Sequence, residues 1–204
     1  PVDTLIEARW VVPVEPQGVV LEDHALAIRQ GCIVDLLPVC LARHRYSARE
    51  RVVLPHHVLM PGLVNLHTHA AMTLLRGYAD DVPLADWLNR HIWPAEARHV
   101  GHEFVRDGSL LACAEMLRGG VTCFNDMYFF PEATAEAALR LGMRAALGIL
   151  TIGFPSAYAS DADDYLNKGL ATRDALRDQP LISFCLAPHA PYTVSDASLE
   201  KVAT

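Results

Sequence analysis

Four continuously apolar segments, each followed by a helical pattern, constrain the fold of this chain more than any other feature. The segments are GLVNLH (62–67), VTCFNDM (121–127), RAALGILT (144–151) and LISFCLA (181–187). Strands that are apolar on both faces are typical of a parallel sheet covered by helices on both sides. The pattern therefore predicts an α/β fold built from βα units that begin at about residue 61.

Helical patterns lie between these strands and after the last one. The clearest is EFVRDGSLLACAEMLRGG (103–120), where apolar residues recur at helical spacing and two glycines end the helix. Two more are FPEATAEAALRLG (130–142) and DADDYLNKGLATRDALRD (161–178), the second with Ser160 as its predicted cap. A fourth helix is predicted to begin after Ser195, a suitable N-cap residue.

The number of units is too small for a closed barrel. Residues 61–204 hold four βα units in 144 residues, about 36 residues each, whereas an eight-unit (β/α)8 TIM barrel needs about 250 residues. An isolated four-stranded parallel sheet would leave a strand edge unpaired and an apolar face uncovered. We therefore expect residues 61–204 to be the first half of a barrel, completed by the rest of a longer polypeptide or, less favoured, by a second copy.

Residues 1–60 have a different pattern. LIEARWVV, HALAIRQ, GCIVDLLPV and RVVLPHHVLMP are short strand-like segments separated by proline, glycine and polar residues. This pattern predicts a small β unit with a boundary near Pro61.

Composition excludes several functional classes. Hydrophobic residues make up 51% of the chain, enough for a large core, and the net charge of −7 comes without any run of basic residues. These features argue against nucleic acid or a membrane as partner. No secretory signal is apparent, and the five scattered cysteines are expected to be reduced thiols in a cytoplasmic protein.

A His-x-His pair, His67 and His69, ends the first apolar strand. Residues two apart in a strand project to the same face, so both imidazoles can reach one metal ion. With 10 histidines in 204 residues, chance predicts about 0.5 such pairs, so the motif alone is weak. Its position at the carboxyl end of a buried strand favours metal binding, with hydrogen-bonded core histidines as the alternative. Imidazole suits zinc and also iron, nickel or copper.

Several motifs in order carry a resemblance to a known family. PGLVNLHTHAAMTLLRGYADDVPLADWL, FNDMYF, LGMRAAL and APHAPYTVSD resemble the amidohydrolase superfamily, and within it the 5-methylthioadenosine/S-adenosylhomocysteine deaminases of the triazine-hydrolase-like branch. The resemblance implies a (β/α)8 barrel with a small β-sandwich built from both chain ends. Residues 1–60 would be the N-terminal part of that sandwich and 61–204 the first half of the metal-dependent barrel. It also implies a homo-oligomer.

The resemblance further implies an activity and a set of site residues. Members of the family are metal-dependent hydrolytic deaminases, so one Zn²⁺ or other divalent metal per subunit is expected, held in part by His67 and His69. Glu96 corresponds to the carboxylate that binds the ribose hydroxyls of a nucleoside, and His189 to the histidine that contacts the purine. The other metal ligands and the catalytic proton shuttle are expected beyond residue 204.

Each of these residues also has a purely structural interpretation. Glu96 follows Pro94 at a predicted helix start, where a solvated carboxylate is common. His189 lies between two prolines and could be a rigid turn residue. Trp87 either covers the apolar face of the substrate or anchors its own helix. Asp126, at the end of the second barrel strand, is as consistent with a structural role as with a catalytic one.

Rival functions share the same scaffold. RAALGILTIGF has no cation after Arg144 to bind an amino-acid carboxylate, which favours 5-methylthioadenosine over S-adenosylhomocysteine as substrate. A triazine chlorohydrolase or a deaminase of guanine-like bases would also use His67 and His69, but its substrate has no ribose for Glu96. A rival of another class is a non-catalytic half-barrel that assembles with another chain.

Overall fold

The computed structural model describes residues 1–203, which form two compact units. The first unit is Pro1–Pro61, and the second begins at Gly62. Each unit is built around its own four-stranded sheet. No helix among the described residues has the length and apolar character needed to cross a bilayer.

The first unit is a mixed sheet with one short helix. Its elements are β1 (Val2–Val11), β2 (Leu21–Arg29), β3 (Cys32–Pro38), α1 (Val39–Arg45) and β4 (Ala48–Leu59). The strand order is β3-β2-β1-β4. Strand β2 runs antiparallel to β1 and β3, whereas β4 runs parallel to β1. The connection from β3 to β4 passes through α1, which is what allows β4 to lie parallel to β1.

Apolar side chains of β1, β2, β3 and α1 form the core of this unit. They are Val2, Leu5, Ala25, Ala27, Leu37 and Ala42. One carboxylate, that of Glu7, is buried beside them with 3% of its surface exposed. It accepts hydrogen bonds from Arg43 Nη2 at 2.7 Å and from Arg51 Nε at 2.5 Å. These guanidinium groups, Arg43 foremost, hold the pKa of Glu7 below its usual value.

The second unit is a parallel α/β structure. Its strands are β5 (Leu63–Thr68), β6 (Val121–Asp126), β7 (Arg144–Thr151) and β8 (Ile182–Pro188). They are paired in chain order and all run parallel. The predicted α/β fold with four βα units is therefore confirmed, with strand bounds within one residue of the predicted ones. Parallel strands in chain order place all four carboxyl ends at one edge of the sheet.

Helices connect these strands. The α-helices are α2 (Leu84–Asp86), α3 (Trp93–His99), α4 (His102–Arg118), α5 (Pro131–Leu141), α6 (Ala162–Ala175) and α7 (Asp196–Ala203). A 3-10 turn, Ala70–Leu75, follows β5, and a π-helical turn, Trp87–Ile92, joins α2 to α3.

The predicted N-cap residue of α6 is wrong. Asp161, not Ser160, is the N-cap residue, because its carboxylate is placed to accept the N–H of Asp164 at 2.9 Å.

Burial differs between the inner and outer strands. Most of β7 is buried, since α5 and α6 pack against it. Strand β5 instead exposes Leu63, Val64 and Leu66, the last by 78%, and β8 exposes Leu186 by 47%. The prediction that all four strands are covered on both faces is therefore wrong for β5, and in part for β8, in the described part of the chain. Both are outer strands, with a neighbouring strand on one side only.

Candidate metal and nucleoside site

The two predicted metal ligands lie side by side at the carboxyl end of β5. His67 belongs to the strand, and His69 follows its last residue, Thr68. Their ring centroids are 5.0 Å apart, and the ring planes meet at 82°. His67 is exposed and His69 partly buried, so His67 is not a core histidine. Two imidazoles this close can contribute to one metal site.

The end of strand β6 fixes the ring of His69. The Nδ1 atom lies 2.6 Å from the backbone oxygen of Met127. Because a carbonyl only accepts, Nδ1 carries the hydrogen, and Nε2 of the neutral ring keeps a free lone pair. Burial lowers the pKa of His69, which keeps the ring neutral near pH 7. A neutral imidazole oriented through its other nitrogen is the form that binds a metal.

Asp126, the last residue of β6, holds the backbone next to His69. Its Oδ1 accepts the N–H of Ala70 at 2.7 Å, and the hydroxyl of Thr134 donates to Oδ2 at 3.4 Å. The residue is 3% exposed, and burial raises its pKa to about 7. Both partners belong to the fold, so Asp126 supports the turn after His69. The structural interpretation left open by the sequence accounts for these contacts.

A close approach between helices fixes the same turn from the other side. Gly108 of α4 lies against Ala71 in the 3-10 turn, and a Cβ at position 108 would overlap the carbonyl oxygen of Ala71. The hydroxyl of Thr73 donates to the carbonyl oxygen of Gly108 at 2.8 Å. The segment that follows the His pair is therefore held by β6 and α4 together.

A cavity of about 360 Å³ lies beside His69. Its volume is within the range of roughly 300–1,000 Å³ typical of small-molecule sites. Most of the wall is apolar, and the ionisable side chains that line it are His69, Glu96, Tyr128 and His189. Trp87 also lines it. Four of the five predicted site residues thus share one cavity, and His67 is next to it through its contact with His69.

Glu96 reaches this cavity from helix α3. Its Oε1 accepts a hydrogen bond of 2.7 Å from the hydroxyl of Tyr128, which follows β6. Burial raises the pKa of Glu96, and the hydrogen bond from Tyr128 opposes that rise. The carboxylate is therefore a partly buried group with a defined partner, unlike a solvated helix-start residue.

His189 follows the last residue of β8 and is held at both ends. Its backbone N–H donates to the oxygen of Thr151 at 3.1 Å, and its Nδ1 lies 2.8 Å from Oγ1 of Thr193. The hydroxyl of Thr193 donates to the oxygen of Ala190 at 3.1 Å, so it accepts from Nδ1–H of His189. The Nε2 atom is then the acceptor of the neutral ring. Burial, together with His69, lowers the pKa of His189.

Aromatic side chains line the rest of the cavity. Trp93 and Phe154 meet edge to face, with ring centroids 5.7 Å apart. Trp87 is partly buried at the start of the π-helical turn, where it contributes to the cavity wall. An apolar wall with a few polar groups is typical of a site for a flat, partly apolar ligand.

The metal donors on this chain are few. Within residues 1–203, no three His, Cys, Asp or Glu side chains are grouped so that they could hold a metal ion. Zinc usually has three or four protein ligands. The chemistry of the two imidazoles fits zinc, and they account for two of those ligands.

Sequence reasoning missed two residues of the site, Tyr128 and Thr193. Tyr128 links Glu96 to the end of β6, and Thr193 orients His189. Only the place of Tyr128 just after a barrel strand could have indicated it, because such loops carry the chemistry in this fold. Thr193 gave no comparable signal.

Comparisons with known proteins agree with this architecture. A model of the amidohydrolase family matches residues 58–204. A 5-methylthioadenosine/S-adenosylhomocysteine deaminase of Teredinibacter turnerae is 51% identical over 202 residues, which is 99% of this chain and 46% of the relative. The one from Saccharophagus degradans is 49% identical over 203 residues, covering 100% and 46%.

Solved structures give the same result. An adenosine deaminase from Xanthomonas campestris with bound zinc superposes with a TM-score of 0.97 at 55% identity, covering all of this chain and 46% of that one. Atrazine chlorohydrolase from Arthrobacter aurescens, in complex with zinc, has a TM-score of 0.84 at 23% identity, covering 98% and 49%. At this lower identity the likeness concerns the fold alone.

The chain belongs to the amidohydrolase family. The resemblance found in its motifs, including that to the 5-methylthioadenosine/S-adenosylhomocysteine deaminases, is confirmed by the relatives that it matches. The chain spans about half the length of these curated relatives. It therefore corresponds to the N-terminal half of an amidohydrolase barrel.

Proposed function

We propose that the polypeptide carrying this chain is a zinc-dependent hydrolytic deaminase of adenine nucleosides. The reaction adds water at C6 of the purine and releases ammonia, giving the inosine analogue. The observation that carries the proposal is one cavity lined by His69, which touches His67, and by the partly buried carboxylate Glu96. The names of the relatives support the same activity.

His67 and His69 are the residues that would hold the zinc ion. When bound, zinc supplies water activation at neutral pH by lowering the pKa of water. The hydrogen bond from His69 Nδ1 to Met127 keeps Nε2 available and sets the ring orientation. Further ligands and the group that moves protons to the leaving ammonia would come from the second half of the barrel.

The other cavity residues would bind the nucleoside. Glu96 can accept hydroxyl protons of the ribose, because a carboxylate offers several lone pairs. His189, with Nε2 as an acceptor, would contact the purine. Trp87 would cover the apolar part of the substrate.

We propose 5-methylthioadenosine as the preferred substrate, with S-adenosylhomocysteine and adenosine as further substrates. Leu150, Ile152 and Phe154, in and just after β7, give the cavity an apolar wall. Such a wall suits a methylthio group better than the charged amino-acid end of S-adenosylhomocysteine.

Zinc-loaded full-length protein should convert 5-methylthioadenosine to 5-methylthioinosine, followed by the ultraviolet shift from adenine to hypoxanthine. In the Glu96→Ala protein we expect a higher KM for nucleosides and an unchanged rate with free bases. Absence of the shift in fully loaded protein would refute the activity. Faster turnover of a triazine or a free base than of the nucleoside would instead favour the rival substrates.

The remaining proposals concern the whole polypeptide. We propose that residues 1–60 form part of a composite β-sandwich, that the protein is a cytoplasmic homo-oligomer, and that neither nucleic acid nor membrane is its partner. All five cysteines are free thiols, which supports a reducing compartment. Light scattering of the full-length protein tests the oligomer, and its crystal structure tests the sandwich.

A further inference from the structure

The hydroxyl of Tyr128 forms a hydrogen bond with one of the two carboxylate oxygens of Glu96, which lines the cavity. It donates to Oε1 of Glu96 at 2.7 Å. Burial and the nearby Glu96 raise the pKa of Tyr128, so the phenol stays protonated and remains a donor. Within the described residues, Oε2 of Glu96 has no hydrogen-bond partner. The two oxygens of this carboxylate are therefore unequal before any substrate binds.

Tyr128 is itself held firmly. It is 6% exposed, and its ring lies 5.1 Å from that of Phe129 and 6.3 Å from that of His69. The preceding residue, Met127, accepts the hydrogen bond of His69. One short segment after β6 thus contacts both His69 and Glu96, which line the same cavity.

We propose that Tyr128 is a positioning residue that holds Oε1 of Glu96, directs Oε2 to the hydroxyl groups of the substrate, and so sets the preference for ribonucleosides over deoxynucleosides. The inference rests on the proposed function, in which Glu96 binds those hydroxyls. It adds a residue that touches the carboxylate and that needs no contact with the substrate. A free glutamate would have to lose side-chain rotamer freedom when the substrate binds.

The test compares Tyr128→Phe, Glu96→Gln and the double variant in zinc-loaded full-length protein. Substrates are 5-methylthioadenosine and its 2′-deoxy and 3′-deoxy analogues. Loss of a hydrogen bond to a charged group predicts that Tyr128→Phe raises KM for the ribonucleoside about 10-fold or more, with little change in kcat. The preference for ribonucleoside over deoxynucleoside should fall by a similar factor. In the Glu96→Gln background, Tyr128→Phe should change both far less, because the neutral amide oxygen is a weaker acceptor for the Tyr128 hydroxyl than the carboxylate.

Tyr46→Phe is the matched control. Tyr46 also donates to a carboxylate, Asp35, at 2.8 Å, but in the first unit. This variant should keep wild-type kcat and KM. Equal effects of Tyr128→Phe and Tyr46→Phe, or additive effects of Tyr128→Phe and Glu96→Gln, would overturn the proposal. If Glu96→Gln itself leaves the ribonucleoside preference intact, the proposed role of Glu96 fails instead, and an inactive wild type would refute the activity.

A second variant avoids loss of the buried hydroxyl. With 3-fluorotyrosine at position 128 the ring keeps its shape and the phenol becomes a stronger donor, so the acidic limb of kcat/KM should move to lower pH. Tyr128→Phe should move it to higher pH, because the hydrogen bond lowers the pKa of Glu96. The titratable groups around Glu96 are Tyr128, His69, His189 and Tyr165. Shifts in the same direction for both variants would contradict the proposal.

Discussion

The two units of the chain bury carboxylates in opposite ways. In the first unit, Glu7 is paired with Arg43 and Arg51, and its pKa is lowered. In the second unit, Asp126 and Glu96 are held by neutral donors alone, and burial raises the pKa of both. Burial of a charge is costly unless a counter-charge offsets it. The first arrangement supplies a counter-charge, and the second supplies none, although one of its two carboxylates, Glu96, lines the cavity.

This difference separates a structural group from groups at a site. A buried carboxylate without a cation is destabilising, and such groups cluster where ligands or metals bind. In the second unit these carboxylates and the two histidines all lie near the carboxyl ends of the strands. We therefore expect substitutions of Glu7 to change stability alone and those of Glu96 to change binding. Substitutions of Asp126 should change both, because Asp126 supports the turn beside His69.

The largest effect is expected at Asp126. Asp126→Leu leaves the buried N–H of Ala70 without an acceptor and should lower the free energy of unfolding by about 2–4 kcal/mol. Zinc affinity of the full-length protein should fall about 10-fold to 100-fold, because the turn beside His69 is released. Chemical denaturation and zinc titration measure the two effects. Asp126→Asn keeps an acceptor and should lose far less, and equal losses in both variants would argue against the hydrogen bond.

A smaller effect is expected at Glu7. Glu7→Gln removes the charge between two half-exposed guanidinium groups and should cost about 1–2 kcal/mol of stability. Hydrogen exchange should show faster opening of β1, α1 and β4, the elements that carry Glu7, Arg43 and Arg51. Zinc affinity and KM should equal those of the wild type, and a change in either would break the distinction between the two units.

The stability difference between the wild type and Glu7→Gln should depend on pH, because the pKa of Glu7 is lowered in the folded state. A carboxylate with a folded-state pKa below its unfolded value stabilises the fold above about pH 4.3. That contribution is lost as the pH falls through the folded-state pKa. The stability gap between wild type and Glu7→Gln should thus be full near neutrality and close in acid, as followed by denaturant titration at several pH values. A gap that widens in acid would contradict the ion pairs.

The smallest effect on stability is expected at Glu96. Removal of its charge should stabilise the fold slightly, whereas removal of the charge of Glu7 should destabilise it. Because burial raises its pKa, ionisation of Glu96 opposes folding as the pH rises above its unfolded value. Glu96→Gln should therefore leave the stability at pH 7 unchanged or raise it by less than about 1 kcal/mol, while KM for the nucleoside rises. Thermal unfolding of the wild type and of Glu96→Gln at pH 5 and pH 8 measures the change in stability. Destabilisation like that of Glu7→Gln would make Glu96 a structural residue.

Local patterns in the sequence predicted most of the fold. Continuous apolar runs predicted the four parallel strands, and caps and glycines predicted α4, α5, α6 and α7 to within a few residues. Helix α1 was not predicted, because residues 1–60 showed strand-like segments only. The exposed face of β5 was not predicted, because periodicity does not show which strand lies at a sheet edge. The π-helical turn at Trp87 had no signal either, since it depends on tertiary packing.

The site was predictable only in part. His67 and His69 stand out because their spacing is local. The contacts of Tyr128 with Glu96 and of Asp126 with Ala70 join residues far apart in the sequence. Such pairs form only once strands and helices are packed, so no local pattern marks them.

Anomalous diffraction at the zinc edge from crystals of zinc-loaded full-length protein would show directly whether His67 and His69 bind one ion. We expect one strong peak per subunit, about 2.0–2.1 Å from a ring nitrogen of both His67 and His69. A peak away from this pair, or the two rings turned apart with no metal between them, would contradict this expectation.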